Sequence, residues 1–86
     1  MNVRIYGFVE GGLFLYPVDP VALNIPHYPT VIKEPMDFTT IRNKLMYNAY
    51  DSEVDFNRDM NLVFDNCVTF NGKESSYGKI ATQMRL

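Results

Sequence analysis

The sequence has little of the chemistry on which disulfides, metal sites and covalent catalysts depend. Its 86 residues include one cysteine, one histidine and no tryptophan. A single cysteine excludes an internal disulfide and any zinc site built from several thiolates. No apolar run approaches the roughly 18 residues of a membrane span, and no signal-peptide pattern opens the chain. We therefore expect an intracellular protein of one domain, with no membrane partner.

The balance of charge argues against nucleic acid as the main ligand. Eight basic and ten acidic side chains give a formal charge of −2. Binding to phosphate backbones normally requires a basic face, so we expect no direct binding to nucleic acid. The hydrophobic fraction of 47 % is that of a folded domain rather than a disordered chain.

Proline is concentrated in one part of the chain. All five prolines fall within nineteen consecutive residues, at Pro17, Pro20, Pro26, Pro29 and Pro35. Each proline fixes its own φ angle, lacks a donor and disfavours helix in the residue before it. Residues 13–36 are therefore predicted to contain neither a regular helix nor a central strand. The same stretch is rich in apolar residues, which predicts a long, packed and functional loop.

Three helices are predicted after this loop. Asp37 is a candidate N-cap for the first helix, which runs to about Leu45 with apolar residues at helical spacing. Ser52 opens the second helix, and Asn71 with Gly72 ends it because both residues tolerate the left-handed cap conformation. The apolar stripe of the second helix follows a 3.6-residue period through Phe56, Met60, Val63, Phe64 and Cys67.

The two ends of the chain differ in their helical signal. Ser75 or Ser76 caps the third predicted helix, which continues to the end of the chain. Its apolar positions are Tyr77, Ile80, Ala81 and Met84. Residues 1–12 contain three of the five glycines, so no stable helix is predicted there.

A calcium site and a phosphate loop are excluded by the residues at key positions. Asp51, Glu53 and Asp55 have the spacing that begins a calcium loop, but Phe56 and Leu62 occupy the positions where glycine and glutamate are required. The Gly-Lys pair at 72–73 lacks the earlier glycine of a phosphate loop. These charges are better explained as the first turn of a helix.

Covalent catalysis is the remaining enzymatic possibility. Cys67 and His27 could form a nucleophile–base pair if folding brought them together. Cys67 lies on the apolar stripe of its helix, however, which favours a buried structural thiol. We therefore expect no catalytic residue, no metal and no cofactor.

Three separated segments carry a family resemblance. They are PVDP at 17–20, PMDF at 35–38 and NCVTFN at 66–71. Together they resemble a bromodomain over residues 13–86. The resemblance implies an all-α, left-handed four-helix bundle with a long ordered proline-rich loop, the ZA-type loop. In that family this loop and the loop before the last helix form a pocket for acetylated lysine at one end of the bundle.

The resemblance also assigns roles to particular residues. Asn71 matches the asparagine that donates a hydrogen bond to the acetyl carbonyl, and Tyr28 matches the tyrosine that reaches the same oxygen through a water. Tyr77 occupies the gatekeeper position beside the entrance. The other residues implied to line the acetyl-lysine pocket are Phe14, Pro17, Val18, Leu23, Ile25, Cys67 and Phe70.

The implied ligand agrees with the chemistry of these side chains. Acetylation removes the charge of lysine and leaves an amide oxygen beside a methyl group. An apolar hole with one amide donor suits that group, whereas an unpaired ammonium is costly to bury. The resemblance thus implies a reader of acetylated histones or other acetylated nuclear proteins, which acts in the nucleus as part of a larger protein or complex. The alternative is a degenerate bromodomain-like module that binds a protein partner without recognising acetyl-lysine.

The sequence departs from the family pattern at both ends. Residues 1–12 are interpreted as a divergent N-terminal segment in place of a long first helix, and residues 13–86 as a partial bromodomain. Gly12 and Leu13 stand where the family has tryptophan and proline, and the last helix is cut short at Leu86. We therefore expect the isolated chain to be poorly stable, to self-associate or to bind a partner that covers its exposed apolar face.

Overall fold

The computed structural model describes residues 14–85. Within this range the chain forms helices α1 (Tyr28–Val31), α2 (Phe38–Met46), α3 (Glu53–Asn71) and α4 (Ser76–Arg85), and no strand. The all-helical prediction is confirmed for the described residues. The predicted divergent segment at 1–12, its boundary with the rest of the chain, and the predicted absence of a helix there all lie outside the described range. No helix within residues 14–85 is long and apolar enough to cross a membrane.

The predicted helix ends are confirmed by their capping contacts. The carboxylate of Asp37 accepts hydrogen bonds from the backbone N–H and the hydroxyl of Thr40, at 2.9 and 2.6 Å. The hydroxyl of Ser52 accepts from the N–H of Asp55 at 3.5 Å. Gly72 ends α3 with a φ of 94°, a conformation that residues with a Cβ rarely adopt. Local chemistry therefore determines where α2 and α3 begin and where α3 ends.

The proline-rich loop differs from its prediction in two respects. It contains the single-turn helix α1, which the prolines were expected to prevent. Pro29 lies in the first turn of α1, where a missing N–H breaks no helical hydrogen bond. The loop is also only partly packed, because Tyr28 and Ile32 are buried while Val21 is 87 % exposed.

The core lies between α2, α3, α4 and the start of the loop. Phe14, Phe38 and Phe64 meet edge to face, with ring centroids 5.5 to 6.0 Å apart. This arrangement is favoured by the charge distribution of aromatic rings. Val63 and Cys67 of the predicted α3 stripe join the same buried cluster.

The predicted apolar stripe of α4 is wrong at two of its four positions. Tyr77 is 51 % exposed and Ile80 is 40 % exposed. The buried face of α4 contains Gly78, which was not predicted, together with the predicted Ala81, and the predicted Met84 packs partly buried against the core. The small residues Gly78 and Ala81 let the backbone of α4 approach α3 closely, which larger residues would prevent.

Candidate binding site

A cavity of about 590 Å³ opens between the proline-rich loop, the C-terminal half of α3 and the start of α4. All ten residues predicted for the site line it, and none of them lies elsewhere. The full set of lining residues is Phe14, Tyr16, Pro17, Val18, Leu23, Ile25, Tyr28, Met36, Val63, Asn66, Cys67, Phe70, Asn71 and Tyr77. None of these side chains carries a charge at neutral pH, so the cavity suits a neutral ligand.

Asn71 contributes an amide at the exposed edge of the cavity. It is the last residue of α3, and its Nδ2 donates to the carbonyl oxygen of Cys67 at 3.0 Å. This bond within one helical turn fixes the direction of the amide. Nδ2 lies 3.6 Å from Cys67 Sγ, which is a weak acceptor. An acetyl oxygen is a stronger acceptor for the second hydrogen of Nδ2.

Tyr28 forms part of an aromatic wall. Its ring packs against the ring of Phe70 with centroids 4.8 Å apart. The ring of His27 also packs against Phe70, with centroids 5.1 Å apart. Burial, and to a smaller degree the nearby Cys67, raise the pKa of the Tyr28 phenol above its ordinary value. The phenol therefore stays protonated at neutral pH and can exchange hydrogen bonds with a neutral ligand or a water.

Cys67 lies at the buried side of the cavity and has the contacts of a structural thiol. Its Sγ donates to the carbonyl oxygen of Tyr77 at 3.4 Å, which joins α3 to the first turn of α4. Burial raises the pKa of the thiol, and the contact with Asn71 only partly offsets that effect. Because a thiolate is the reactive form, this environment opposes nucleophilic chemistry. The ring of His27 packs on Phe70, so the two residues are not assembled as a nucleophile–base pair.

The loop between α3 and α4 is held by a compact set of hydrogen bonds. The hydroxyl of Ser75 donates to the carbonyl oxygen of Gly72 at 2.7 Å and accepts from the N–H of Gly78 at 2.9 Å. A Cβ at Gly78 would overlap that same Gly72 oxygen. This close approach fixes the positions of Asn71 before the loop and Tyr77 after it.

The opposite wall is anchored to α2 by backbone hydrogen bonds. The N–H groups of Phe38 and Thr39 donate to the carbonyl oxygens of Phe14 and Leu15, both at 2.9 Å. Further along the loop, the carboxylate of Asp19 accepts from two successive N–H groups at 3.1 Å and closes a turn. These hydrogen bonds restrain the backbone of the proline-rich loop where it lines the cavity.

Sequence reasoning missed four of the lining residues, namely Tyr16, Met36, Val63 and Asn66. Val63 belongs to the predicted apolar stripe and Met36 to the PMDF segment, so the sequence contained a pattern that could have identified both as lining residues. Asn66 is buried, and its amide donates to the carbonyl oxygen of Glu34 at 2.8 Å, which attaches the end of the loop to α3. Tyr16 was given no role, and its place at the cavity follows from the structure alone.

The chemistry of the lining suits recognition of a neutral group. No group of three or more histidine, cysteine, aspartate or glutamate side chains in the range 14–85 is placed to hold a metal ion. The cavity offers apolar and aromatic walls with a small number of neutral polar groups. Such a lining suits a mostly apolar ligand with few polar groups.

Comparison with known proteins agrees with this geometry. A family model described as Bromodomain matches residues 10–83. The chain belongs to the bromodomain family. Bromodomains are binding modules rather than enzymes, so the family supports a role in recognition.

Solved structures support the same conclusion about the fold. The second bromodomain of Candida albicans Bdf1, bound to an imidazopyridine, superposes with a TM-score of 0.82 at 40 % identity. The match covers 98 % of this chain and 77 % of the other. The same domain in its unbound form gives a TM-score of 0.81.

Curated relatives are much longer proteins. The SWR1 complex bromodomain subunit bdf1 of Schizosaccharomyces pombe is 46 % identical over 72 residues, which are 84 % of this chain and 12 % of the relative. Bromodomain-containing factor 1 of Candida albicans is 55 % identical over 58 residues, 67 % of this chain and 8 % of the relative. Transcription factor GTE10 of Arabidopsis thaliana is 42 % identical over 78 residues, 91 % of this chain and 7 % of the relative. The chain thus spans about a tenth of the length of these relatives.

Proposed function

We propose that this bromodomain binds acetylated lysine in its cavity and acts as a reader of acetylated proteins. The observation that carries the proposal is the position of Asn71, whose amide stands at the edge of an uncharged cavity with a weak acceptor beside one of its hydrogens. In the proposed complex, Nδ2 donates to the acetyl oxygen. The phenol of Tyr28 reaches the same oxygen through a water.

The uncharged lining supports a preference for acetylated over unmodified lysine. A lysine ammonium in this cavity has no carboxylate partner among the lining residues. Its desolvation is therefore uncompensated, and the amide of Asn71 adds a second donor facing a group that cannot accept. The acetyl group removes the charge and supplies the acceptor. One direct hydrogen bond and a small apolar contact give modest affinity, so additional contacts are needed for tight binding.

The names of the relatives support a proposal about the ligand and the cellular location of this activity. They include a subunit of the SWR1 complex and a transcription factor. By analogy, we propose that the ligand is an acetylated histone tail or another acetylated nuclear protein. We further propose that the domain works in the nucleus within a larger protein or complex.

Calorimetric titration tests the proposal with one peptide in acetylated and unacetylated forms. The chain should bind the acetylated form, and the unacetylated form should show no saturable binding. Asn71→Ala should weaken binding about ten- to a hundredfold, because the acetyl oxygen loses its direct donor. Tyr28→Phe should have a smaller effect, since it removes only a water-mediated hydrogen bond.

Asn61→Ala is the matched control, because Asn61 is an exposed asparagine of α3 outside the cavity. It should bind the acetylated peptide as the unchanged chain does. Equal affinities for Asn71→Ala and the unchanged chain would remove Asn71 from recognition. Binding that is indifferent to acetylation would favour the alternative, a helical module for protein–protein interaction.

A further inference from the structure

Tyr16 is an exposed aromatic residue at the rim of the cavity. It lines the cavity, yet 64 % of its surface remains accessible to solvent. The buried core is complete without it, since the ring contacts of the core are made by other residues. A large exposed ring beside a binding cavity is available to contact a part of the ligand that extends beyond the cavity.

The backbone on both sides of Tyr16 is restrained. The carbonyl oxygen of Leu15 accepts from the N–H of Thr39 at 2.9 Å and from the hydroxyl of Thr39 at 2.5 Å. On the other side, the ring of Pro17 fixes its own φ and limits the conformation of Tyr16. The aromatic ring is therefore attached to a restrained backbone, so little backbone entropy is lost when a ligand contacts it.

The chemistry of the ring and of the cavity lining indicates which neighbour of acetyl-lysine Tyr16 can select. No basic side chain lines the cavity, and the whole chain carries a formal charge of −2. A cation of the ligand therefore meets no repulsion from the cavity walls. The face of a tyrosine ring attracts a guanidinium or an ammonium, while the aliphatic stem of the same side chain packs along the ring.

We propose that Tyr16 is a specificity-determining residue that selects a basic side chain next to acetyl-lysine through the face of its ring. This inference rests on the proposed function, because the acetyl-lysine in the cavity places its neighbours at the rim. It assigns the preference for the residues beside acetyl-lysine in the ligand to the wall of the cavity formed by the proline-rich loop. Asn71 recognises the acetyl group, and Tyr16 recognises the flanking residue.

The test uses acetyl-lysine peptides with one arginine within two residues of the acetyl-lysine, moved through the four flanking positions in turn. Each peptide is paired with one in which citrulline replaces the arginine, since citrulline has nearly the same shape without the charge. At one of the four positions, the chain should bind the arginine peptide about three- to fivefold more tightly than its citrulline partner. Tyr16→Ala should abolish this preference, whereas Tyr16→Phe should retain it because the ring face is kept.

Tyr47→Ala is the control, because Tyr47 is 79 % exposed and lies outside the cavity. It should keep the full preference for arginine. The inference is overturned if the chain binds arginine and citrulline peptides equally at all four positions. It is also overturned if Tyr16→Ala keeps the preference, or if Tyr16→Phe loses it, which would indicate a hydrogen bond to the phenol.

A single acetyl-lysine with both ends capped separates this inference from the proposed function. This ligand has no flanking side chain, so Tyr16→Ala should bind it as the unchanged chain does. If the acetylated peptides bind and only the flanking preference is absent, Tyr16 alone is misassigned. If neither the peptides nor the capped acetyl-lysine binds, the proposed function and the role of Tyr16 both fail.

Discussion

Asp59 and Asn71 both lie on α3, but their surroundings differ. Asp59 is 2 % exposed, and its Oδ2 accepts from Lys44 Nζ and from the hydroxyl of Tyr50, both at 2.6 Å. Lys44 also lies 4.6 Å from the centre of the Tyr50 ring. Asn71 is exposed at the edge of an apolar cavity and has one strong partner, the carbonyl oxygen of Cys67.

The pKa values of Asp59 and Tyr50 reflect the hydrogen bonds that Asp59 accepts from Lys44 and Tyr50. Burial opposes the ionisation of Asp59, but hydrogen bonds from Lys44 and Tyr50 outweigh it and hold the pKa below its ordinary value. Burial and the bond to Asp59 raise the pKa of Tyr50 far above its ordinary value. Because folding lowers the pKa of Asp59, its ionisation stabilises the fold above the unfolded-state pKa, and this contribution is lost as the pH falls through the folded-state pKa.

The two sites show how placement of polar groups separates stability from recognition. Around Asp59, donors from α2 and from the α2–α3 connection are already occupied, so the cluster joins elements of the fold. At Asn71, the helix fixes the amide while leaving one hydrogen against a weak acceptor. Substitutions around Asp59 should therefore change the stability of the fold. Substitutions around Asn71 should change ligand binding as well as stability.

The largest effect is expected from Lys44→Met, which removes the ammonium that compensates the buried carboxylate. Breaking a buried pair typically costs about 3–5 kcal/mol. Lys44 is itself 37 % exposed, so we expect a loss of about 2–3 kcal/mol in the free energy of unfolding. Urea denaturation measures it, with Lys33→Met at an exposed loop position as the control. Affinity for acetyl-lysine, measured where the variant is folded, should not change.

Gly78→Ala should have a somewhat smaller effect on stability but should also reach the binding site. The added Cβ overlaps the Gly72 carbonyl oxygen, so α4 or the loop must shift, at a cost of about 1–3 kcal/mol. The shift moves Asn71 and Tyr77, and acetyl-lysine binding should weaken severalfold. Denaturation and calorimetry on the same preparation measure both quantities. A loss of stability with unchanged affinity would show that the loop does not position Asn71.

The surroundings of Asn71 were predicted from the sequence better than those of Asp59. Caps depend on neighbouring residues, so Asp37, Ser52 and Gly72 identified the helix ends correctly. The cavity residues came from motif resemblance, and all ten line one space. Asp59 was missed although it lies on the apolar stripe of α3, three residues after Phe56 and four before Val63. A charge on such a stripe indicates a buried partner, but the identity of that partner depends on how α2 packs.

The rotation of α4 could not be predicted for a related reason. Helical spacing assigned Tyr77 and Ile80 to the core, whereas the closest approach of two helices favours small residues. Gly78 is buried in place of Tyr77 and Ile80. Ala81 and Met84 of the predicted stripe do pack in or against the core, so the buried face is turned only partly away from the predicted one. Tyr77 lines the cavity and is 51 % exposed rather than buried in the core.

The smallest effect is expected from Glu34→Gln, which tests whether burial rather than distance makes the Asp59 pair important. Glu34 and Arg58 form an ion pair at 2.8 Å, close to the 2.6 Å between Lys44 and Asp59. The side chains of Glu34 and Arg58 are 59 % and 60 % exposed, however, whereas that of Asp59 is 3 % exposed. Water screens exposed charges and solvates them when the pair is broken, so such pairs contribute little. Urea denaturation of Glu34→Gln should match the unchanged chain within error at low and high salt. A loss comparable to that of Lys44→Met would mean that pairing distance, and not burial, determines what these charges contribute.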